Sequence, residues 1–428
     1  MILIAFTVTG ENIELTTSKD NTAFESSLLA KSNGAGDYFF AGRIAQPADS
    51  VRRGLIYFDL SAVPTGSTIN DVSLELTSSR SIAGLRTLSI HRAESDWGEG
   101  ASDSSFMGGG GGGADAEIGD ATWLHTFYDQ DTWNNVGGDY TATESASTDM
   151  IGEQTGEFSS AQLTADVQNW IDGTTDNFGW FVIGDESTLT TAFRFNSREN
   201  DDSSTRPKLI IDYSLPQTSM VPAKDNTLYE SNDGSTSNGL GGKVFFGKPN
   251  NGQLRRGVLE FDVSGLPAFA NITSVTVDLT VIDIPGAAQN GSAALHLALA
   301  EWGEGTSSGN GQGAPSQADD ATWIHTFYDT DTWTTAGGDF MPNASATSNF
   351  TDQTNTISFS SSAGLIADVS TWHQDSQNNH GWILLGDEAN NGNVRSVGSL
   401  NNSTAASRPT LTIEYFVPVD LIFANGFE

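Results

Sequence analysis

Two short segments of the sequence combine tryptophan with polar side chains. Trp97 precedes Glu99 by two residues, and Trp123 is followed by His125 and Tyr128. A sugar ring has an apolar face that stacks on an aromatic side chain, while its hydroxyl groups need polar partners nearby. These segments are therefore either carbohydrate contacts or loops that their aromatic rings anchor on a core. The candidate ligand-binding residues are Trp97, Glu99, Trp123, His125, Tyr128 and Trp133.

Carboxylates are the candidate ligands for a cation. Asp185 and Glu186 end a predicted strand, and with Asp20 they offer the hard oxygen ligands that calcium prefers. No EF-hand spacing is present, so a calcium site would be assembled from distant segments. Calcium is therefore the expected cofactor, with Asp20, Asp185 and Glu186 as candidate metal ligands.

The sequence contains one module twice. Residues 121–129 (ATWLHTFYD) recur as residues 321–329 (ATWIHTFYD), and the ten tryptophans form the pairs 97/302, 123/323, 133/333, 170/372 and 180/382. The candidate sites are therefore duplicated. The second-module ligand candidates are Trp302, Glu304, Trp323, His325, Tyr328 and Trp333. The second-module metal candidates are Asp225, Asp387 and Glu388.

These matches set the predicted domain boundaries. The first module spans residues 18–213 and the second spans 223–415, joined by a linker over 214–222. Residues 1–17 and 416–428 lie outside the repeat. In both tails every second residue is apolar, which predicts a strand that pairs with the edge of a sheet. Each tail either docks on its own chain or adds to the sheet of another copy. The alternating residues are Ile2, Ile4, Phe6 and Val8, then Val417, Val419, Leu421 and Phe423.

The secondary-structure signal is mostly β. Short apolar or alternating runs such as 72–76 and 275–281 are bounded by turn residues, which predicts strands. One helix per module is predicted, because Leu163, Val167 and Trp170 share a helical face. The predicted fold class is all-β, with two tandem jelly-roll-like β-sandwich modules that each contain one short helix. The predicted core tryptophans are Trp170, Trp180, Trp372 and Trp382.

Other duplicated charges have predicted structural roles. Arg52 and Arg53 are neighbours in a strand, so only one of them can face inward. A half-buried arginine needs a carboxylate, for which Asp59 is a nearby candidate, although it could instead bind an acidic sugar. Asp166 lies near the start of the helical stripe, which favours helix capping. The second-module counterparts are Arg255, Arg256, Asp262 and Asp368.

The composition excludes several classes of function. The chain has 19 Lys and Arg against 54 Asp and Glu, a net charge of −35, and no cysteine. A nucleic-acid-binding protein needs a basic stripe, and an anionic membrane would repel so acidic a surface. No apolar run approaches the ~20 residues of a membrane span. Thiolate zinc sites and cysteine nucleophiles are also excluded, and the composition suits a secreted protein.

Catalysis is not expected. His125 and Tyr128 would be the candidate base and acid, but residues three apart on a strand lie on opposite faces. No pair of carboxylates stands out as the facing acids of a glycoside hydrolase. A tandem copy raises avidity for a repeating polymer, whereas a second identical active site only doubles the rate. The sequence therefore predicts a protein that is not an enzyme.

Six short motifs occur in the same order in both modules. In the first they are Asp20-Asn21-Thr22, Arg52-Arg53-Gly54-Leu55, Trp97-Gly98-Glu99-Gly100, Asp120-Ala121-Thr122-Trp123, Gly179-Trp180 and Arg206-Pro207. This order resembles the bacterial DNRLRE domain, which overlaps the family-96 carbohydrate-binding modules. The resemblance covers both modules and implies a jelly-roll-like β-sandwich, an extracellular location and non-catalytic polysaccharide binding or surface attachment.

The second module departs from this pattern at one place. Arg198-Glu199 of the first module becomes Leu400-Asn401 in the second. If Arg198 and Glu199 bind a ligand or calcium, only the first module is fully competent.

Two functions fit these observations. The first is a secreted or cell-surface protein that binds extracellular polysaccharide, or mediates adhesion, through its repeated modules. The alternative is a structural subunit of an extracellular fibre or surface layer, in which copies of the chain exchange terminal strands. An acidic polysaccharide would find only a few arginines or a bridging calcium, so a neutral glycan or a protein neighbour is the easier partner.

Overall fold

The computed structural model describes residues 10–106, 111–284 and 290–418. The chain divides into two compact units, Met1–Leu215 and Pro216–Glu428. Most of the apolar alternation in the two tails falls outside the described residues. The residues concerned are Ile2, Ile4, Phe6, Val8, Val419, Leu421 and Phe423.

The described part of unit 1 contains fifteen strands, one α-helix and one short 3₁₀-helix, Ser203–Thr205. They are β1 (Glu11–Thr16), β2 (Lys19–Phe24), β3 (Lys31–Ser32), β4 (Tyr38–Arg43), β5 (Val51–Tyr57), β6 (Thr68–Arg80), β7 (Arg86–Arg92), β8 (Ala114–Asp115), β9 (His125–Phe127), β10 (Asp131–Thr132), β11 (Ala146–Met150), β12 (Gln154–Ser159), α1 (Ala161–Ile171), β13 (Trp180–Ile183), β14 (Phe193–Asn196) and β15 (Lys208–Ser214).

The described part of unit 2 repeats this order. Its elements are β16 (Gln217–Met220), β17 (Lys224–Tyr229), β18 (Thr236–Ser237), β19 (Lys243–Phe246), β20 (Arg255–Glu260), β21 (Asn271–Asp283), β22 (Gly291–Leu297), β23 (Ala314–Pro315), β24 (His325–Phe327), β25 (Asp331–Thr332), β26 (Ala346–Phe350), β27 (Thr356–Phe359), α2 (Ala363–Gln374), β28 (Trp382–Leu385), β29 (Arg395–Gly398) and β30 (Thr410–Phe416).

Each unit is built from two antiparallel sheets. In unit 1 eleven strands form one hydrogen-bonded network that folds into two sheets, the first with β1, β15, β6, β12, β14 and β4 and the second with β2, β5, β13, β7 and β11. Strand β4 pairs with β14 on one side and with β5 at its end, so it joins the two sheets at a corner. In unit 2 the corresponding sheets are β16, β30, β21, β27, β29 and β19, and β17, β20, β28, β22 and β26.

The hydrophobic core lies between the two sheets. In unit 1, Leu74 and Leu209 from the first sheet pack in one cluster with Ile56 and Trp180 from the second. Burying this apolar surface is the main force that holds the sheets together. The structure confirms the prediction of an all-β sandwich with one short helix in each unit. The predicted core tryptophans Trp170, Trp180, Trp372 and Trp382 are buried in these cores.

The helices begin at serines. The Ser160 side chain accepts hydrogen bonds from the backbone N–H groups of Gln162 and Leu163, and the Ser362 side chain caps α2 by accepting one from the N–H of Leu365. The prediction that Asp166 and Asp368 are caps is wrong, because both lie inside the helices. Asp166 is buried instead and accepts a hydrogen bond of 2.5 Å from the Ser145 hydroxyl.

A third layer covers the outer face of the second sheet in unit 1. Strand alternation places Leu55 and Phe181 on this outer face, opposite the core, where they pack with Trp97 and Trp133. These tryptophans belong to the long connection between β7 and β11, which folds back over the sheet. Unit 2 has the same layer on Val258 and Ile383, covered by Trp302, Trp323 and Trp333.

The predicted linker contains a strand. Within residues 214–222, β16 pairs antiparallel with β30, from Gln217 against Glu414 to Met220 against Leu411. β1 pairs with β15 in the same way in unit 1. The repeated unit therefore begins one strand earlier than the predicted boundaries of residues 18 and 223. In the described residues no helix has the length and apolar character needed to cross a membrane.

Candidate functional site

Five of the six predicted ligand-binding tryptophans are buried in the third layer, and four of these also form a hydrogen bond through the indole N–H. The indole N–H groups of Trp97 and Trp133 donate to the carbonyl oxygens of Phe178 at 2.8 Å and Thr122 at 2.9 Å. Their counterparts in unit 2 make equivalent bonds of 2.9 Å. Because these rings are buried and their N–H groups already have partners, the structure favours the loop-anchor alternative. The residues concerned are Trp97, Trp133, Trp302 and Trp333.

Trp123 remains half-buried, whereas its counterpart Trp323 is buried. The guanidinium of Arg53 lies 4.7 Å from the ring centroid of Trp123, and Arg256 lies 4.9 Å from that of Trp323. At this distance a guanidinium and an aromatic ring attract each other. Both rings are thus held by an arginine, but only Trp123 is still partly exposed to solvent.

His125 and Tyr128 are in contact, contrary to the expectation that they face opposite sides of a strand. Strand β9 ends at Phe127 and the chain turns at Asp129, whose φ is 63°, so Tyr128 folds back over His125. The ring centroids are 5.1 Å apart, and Nδ1 of His125 is bonded to the Thr122 hydroxyl at 2.9 Å. His325 and Tyr328 repeat this contact at 5.2 Å.

The adjacent arginines have different partners from those predicted. Arg53 forms a two-point ion pair with Glu186, at 2.7 and 2.9 Å, so Asp59 is not its partner. Arg256 and Glu388 repeat these distances, so Asp262 is not the partner in unit 2. The prediction failed because Glu186 is distant in sequence and meets Arg53 only through the pairing of β13 with β5.

Arg52 is buried, and its hydrogen-bond partners among the described residues are all carbonyl oxygens. Its guanidinium donates to the carbonyl oxygens of Asp49 and Val51, at 3.1 and 2.8 Å, and to that of Gly111 at 3.1 Å. Burial lowers the pKa of Arg52 to about 10. Arg52 thus stays charged at neutral pH, and no ion pair to it is found among the described residues.

The predicted calcium ligands do not come together. Glu186 is bonded to Arg53, while Asp185 accepts hydrogen bonds from Ser187 and Thr188. Asp20 lies elsewhere, beside Glu99 and Arg198. The combination of Asp20 with Asp185 and Glu186, and its counterpart of Asp225 with Asp387 and Glu388, is therefore wrong. Within the described ranges, no group of three or more acidic or histidine side chains is arranged to hold a metal ion.

Asp20 instead belongs to a cluster of four charged residues, Asp20, Glu99, Arg198 and Glu199, which we call the Asp20 cluster. The backbone N–H of Asp20 donates to Glu99 at 2.9 Å, and the backbone N–H of Arg198 donates to Oδ2 of Asp20 at 2.7 Å. The Arg198 guanidinium binds both oxygens of Glu99 at 2.6 and 2.7 Å and reaches Glu199 at 2.9 Å. The Arg198 guanidinium thus forms ion pairs with two of the three carboxylates, those of Glu99 and Glu199.

The pKa values in this cluster are displaced. Burial, followed by repulsion from Glu199, raises the pKa of Asp20 well above its ordinary value. Burial also raises the pKa of Glu199 to about 7. In unit 2, burial raises the pKa of Asp225 to about 8 and also raises the pKa of Glu304. Asp20 and Asp225 therefore occupy equivalent positions in the two units, and burial disfavours the ionised form of both.

A pocket and a groove open on unit 1 beside Trp123. The pocket, about 90 Å³, includes Leu28, Leu29 and Trp123 in its wall. The groove, about 440 Å³, includes Lys31 and Arg52. The two cavities share Ser26 and Lys31. Remaining lining residues are Phe24, Ser27, Ala30, Thr122 and Leu124 in the pocket, and Glu25, Ile44, Gln46, Asp49, Gly111 and Gly112 in the groove.

The sequence patterns did not identify Leu28 and Leu29, the two leucines of this pocket, as candidate binding residues. Leu28 is 89% exposed and Leu29 is 60% exposed. The equivalent loop of unit 2, which also leads into a two-residue strand, has Asp233 and Gly234 in their places. A search for differences between the copies, rather than for shared residues, would have found them.

Comparison of the chain with models of protein families finds no match. Comparison with curated proteins likewise finds no significant match. The resemblance to the DNRLRE domain therefore stays a prediction.

Proposed function

We propose that the protein is a non-catalytic, secreted protein that binds an extracellular polysaccharide along the pocket and groove of unit 1. The observation that supports this proposal is that the pocket, with its apolar wall, adjoins the charged groove, since the two share Ser26 and Lys31. Leu28, Leu29 and Trp123 offer apolar surface to the C–H face of a sugar, and Lys31 and Arg52 lie in the adjoining groove.

The mixed charge of the groove favours a neutral glycan. Glu25 and Asp49 line the groove together with Lys31 and Arg52, so carboxylate and cationic side chains both border the channel. Sugar hydroxyl groups both donate and accept, so they can use such a mixture, whereas a polyanion would be repelled by the two carboxylates and by the net charge of −35.

Affinity electrophoresis of the intact chain against neutral and uronate-containing polysaccharides tests the proposal. We expect retardation by at least one neutral polymer. The variant Leu28→Asp/Leu29→Gly, which gives unit 1 the residues of unit 2, should lose most of it. Ile151→Thr is the control, because Ile151 is also exposed and unit 2 has Thr351 there. Equal retardation of both variants, or no retardation by any polymer, contradicts the proposal.

The alternative, a fibre or surface-layer subunit, is supported by a different observation. β1 and β16 each pair with one neighbour among the described strands, so the other side of each strand is an available edge. Strand addition by another copy would use such an edge. Sedimentation of the intact chain and of a variant lacking residues 1–10 tests this function. Assembly that depends on residues 1–10 supports it, and an unchanged assembly state contradicts it.

A further inference from the structure

We propose that each unit binds one calcium ion at a buried aspartate, Asp20 in unit 1 and Asp225 in unit 2. Both side chains are fully buried. In both, Oδ2 accepts a backbone N–H, from Arg198 at 2.7 Å and from Leu400 at 2.5 Å. Oδ1 of both is inaccessible to solvent and has no hydrogen-bond partner among the described residues.

An unpartnered carboxylate oxygen inside a protein is unfavourable. Its hydration is lost on folding and no protein hydrogen bond replaces it, and this loss is larger for a charged group than for a neutral one. Such a group is rare in a native structure and calls for an unseen water or ion. Here the same oxygen is unpartnered in both copies of the module, although the surrounding residues differ. The recurrence indicates a site for a ligand common to both units.

The local charge indicates a divalent cation. In unit 1 the Asp20 cluster contains three carboxylates and one guanidinium, that of Arg198, so its fully ionised form carries two negative charges. In unit 2, Leu400 and Asn401 replace Arg198 and Glu199, so one positive and one negative charge disappear together. Asp225 and Glu304, when both are ionised, then also carry two negative charges. A divalent ion would neutralise the site in each unit.

The two nearest lysines, Lys19 and Lys224, form their ion pairs with carboxylates outside the proposed calcium sites. Lys19 is bonded to Asp96 at 2.7 Å and to the carbonyl oxygen of Trp97. Lys224 is paired with Glu260 at 3.0 Å and with Glu301. Both ammonium groups therefore pair directly with other carboxylates, although the charge of Lys224 also favours the ionised form of Glu304.

Oxygen donors around the aspartates are the kind that calcium binds. In unit 1, Oε2 of Glu199 is a second buried oxygen without a partner among the described residues, and Glu199 is close enough to repel Asp20 electrostatically. In unit 2, Asn401 keeps a side-chain oxygen at this position. Calcium tolerates irregular geometry and completes its shell with water and carbonyl oxygens, so two side-chain ligands can be enough for a weak extracellular site. We expect a Kd on the order of 10⁻⁴ M.

Calorimetric titration of the chelator-treated intact chain with CaCl₂ tests the proposal. We expect two ions per chain and a higher melting temperature with calcium. Asp20→Asn should lose one ion, and Asp20→Asn/Asp225→Asn should lose both. Asp185→Asn, which removes a carboxylate outside both sites, should keep both ions. Terbium luminescence excited through Trp97 and Trp302, which lie two residues before Glu99 and Glu304, gives an independent readout.

A gain-of-function variant keeps the test decisive if an aspartate variant does not fold. Asn401→Asp adds a carboxylate to the unit 2 site and should tighten binding there by about tenfold or more. No calcium binding at 10 mM, or unchanged binding in Asp20→Asn/Asp225→Asn, overturns the proposal. If the asparagine variants are as stable as the parent chain and calcium has no effect, each carboxyl is simply protonated, and the proposal is wrong. None of these results depends on polysaccharide binding.

Discussion

Arg53 and Glu186 form an ion pair with two parallel hydrogen bonds, from Nε to Oε1 at 2.7 Å and from Nη2 to Oε2 at 2.9 Å. The third nitrogen of Arg53 donates to the carbonyl oxygen of Gly137 at 2.8 Å, in the layer that covers the sheet. Arg256, Glu388 and Gly337 repeat all three contacts. The pair thus attaches the covering layer to the sandwich in both units, through a bidentate geometry that lysine cannot reproduce.

Glu186→Gln should destabilise unit 1. The substitution removes the charge opposite a guanidinium whose side chain is only 14% exposed, so we expect the free energy of unfolding to fall by about 1–3 kcal/mol. Urea unfolding followed by tryptophan fluorescence measures this change.

Glu388→Gln is the matched variant in unit 2 and should lower the stability of that unit by a similar amount. Arg53→Met/Glu186→Leu removes both charges and should recover part of the loss. A Glu186→Gln protein as stable as the parent chain would show that the ion pair contributes nothing.

Ser160→Ala should weaken helix α1 by about 1 kcal/mol. The hydroxyl of Ser160 accepts from two backbone N–H groups of the first turn, which alanine leaves without a protein partner. Chemical denaturation of the intact chain measures the loss, and Ser362→Ala is the matched variant for α2. Ala161→Ser, at an exposed neighbouring position, serves as the control and should change stability much less.

At low pH the protein should lose the contribution that the ionised Asp185 side chain makes to the free energy of unfolding. Hydrogen bonds from the hydroxyl of Ser187, and then from Thr188, lower the pKa of Asp185 to about 2. Because this folded-state pKa lies below the unfolded one, the contribution is complete above pH ~4 and is lost as the pH falls through about 2. We expect Asp185→Asn to be less stable than the parent chain at pH 6 by on the order of 1 kcal/mol, after discounting for solvent screening.

The difference between Asp185→Asn and the parent chain should then close as the pH approaches 2. Denaturant midpoints measured at pH 6, 4, 3 and 2 follow this convergence. A difference that stays constant over the whole range would mean that the effect is unrelated to the ionisation of Asp185.

A fragment of unit 2 that begins at Pro216 should be more stable than one that begins at Ala223. The shorter fragment lacks β16, so it loses the backbone pairing with β30 and the packing of Met220 on the core. Thermal unfolding of the two fragments compares them directly. If their melting temperatures coincide, the boundary predicted from the repeat at residue 223 is the better one.

The sequence predicts the local features of this fold well and the distant contacts poorly. Periodicity was sufficient for the helix containing Leu163 and Trp170, and for a core containing Trp180. It could not show that Trp97 is buried, because burial there depends on a long connection that folds over a sheet made from other segments. It also could not bring Arg198 to Asp20, which lies 178 residues earlier. Contacts of this range depend on topology, which residue spacing does not encode.

The pairing of β1 with β15 has a consequence for the order of folding. Among the described residues, the first strand of unit 1 pairs with its last, Glu11 against Tyr213, and in unit 2 Gln217 lies opposite Glu414. During synthesis, neither sandwich can close until its final strand has left the ribosome, and such high contact order makes closure slow. Unit 1 can nevertheless complete its fold while unit 2 is still being translated, so the two related sequences are seldom both unfolded together. Staggered folding of this kind limits mispairing between repeats.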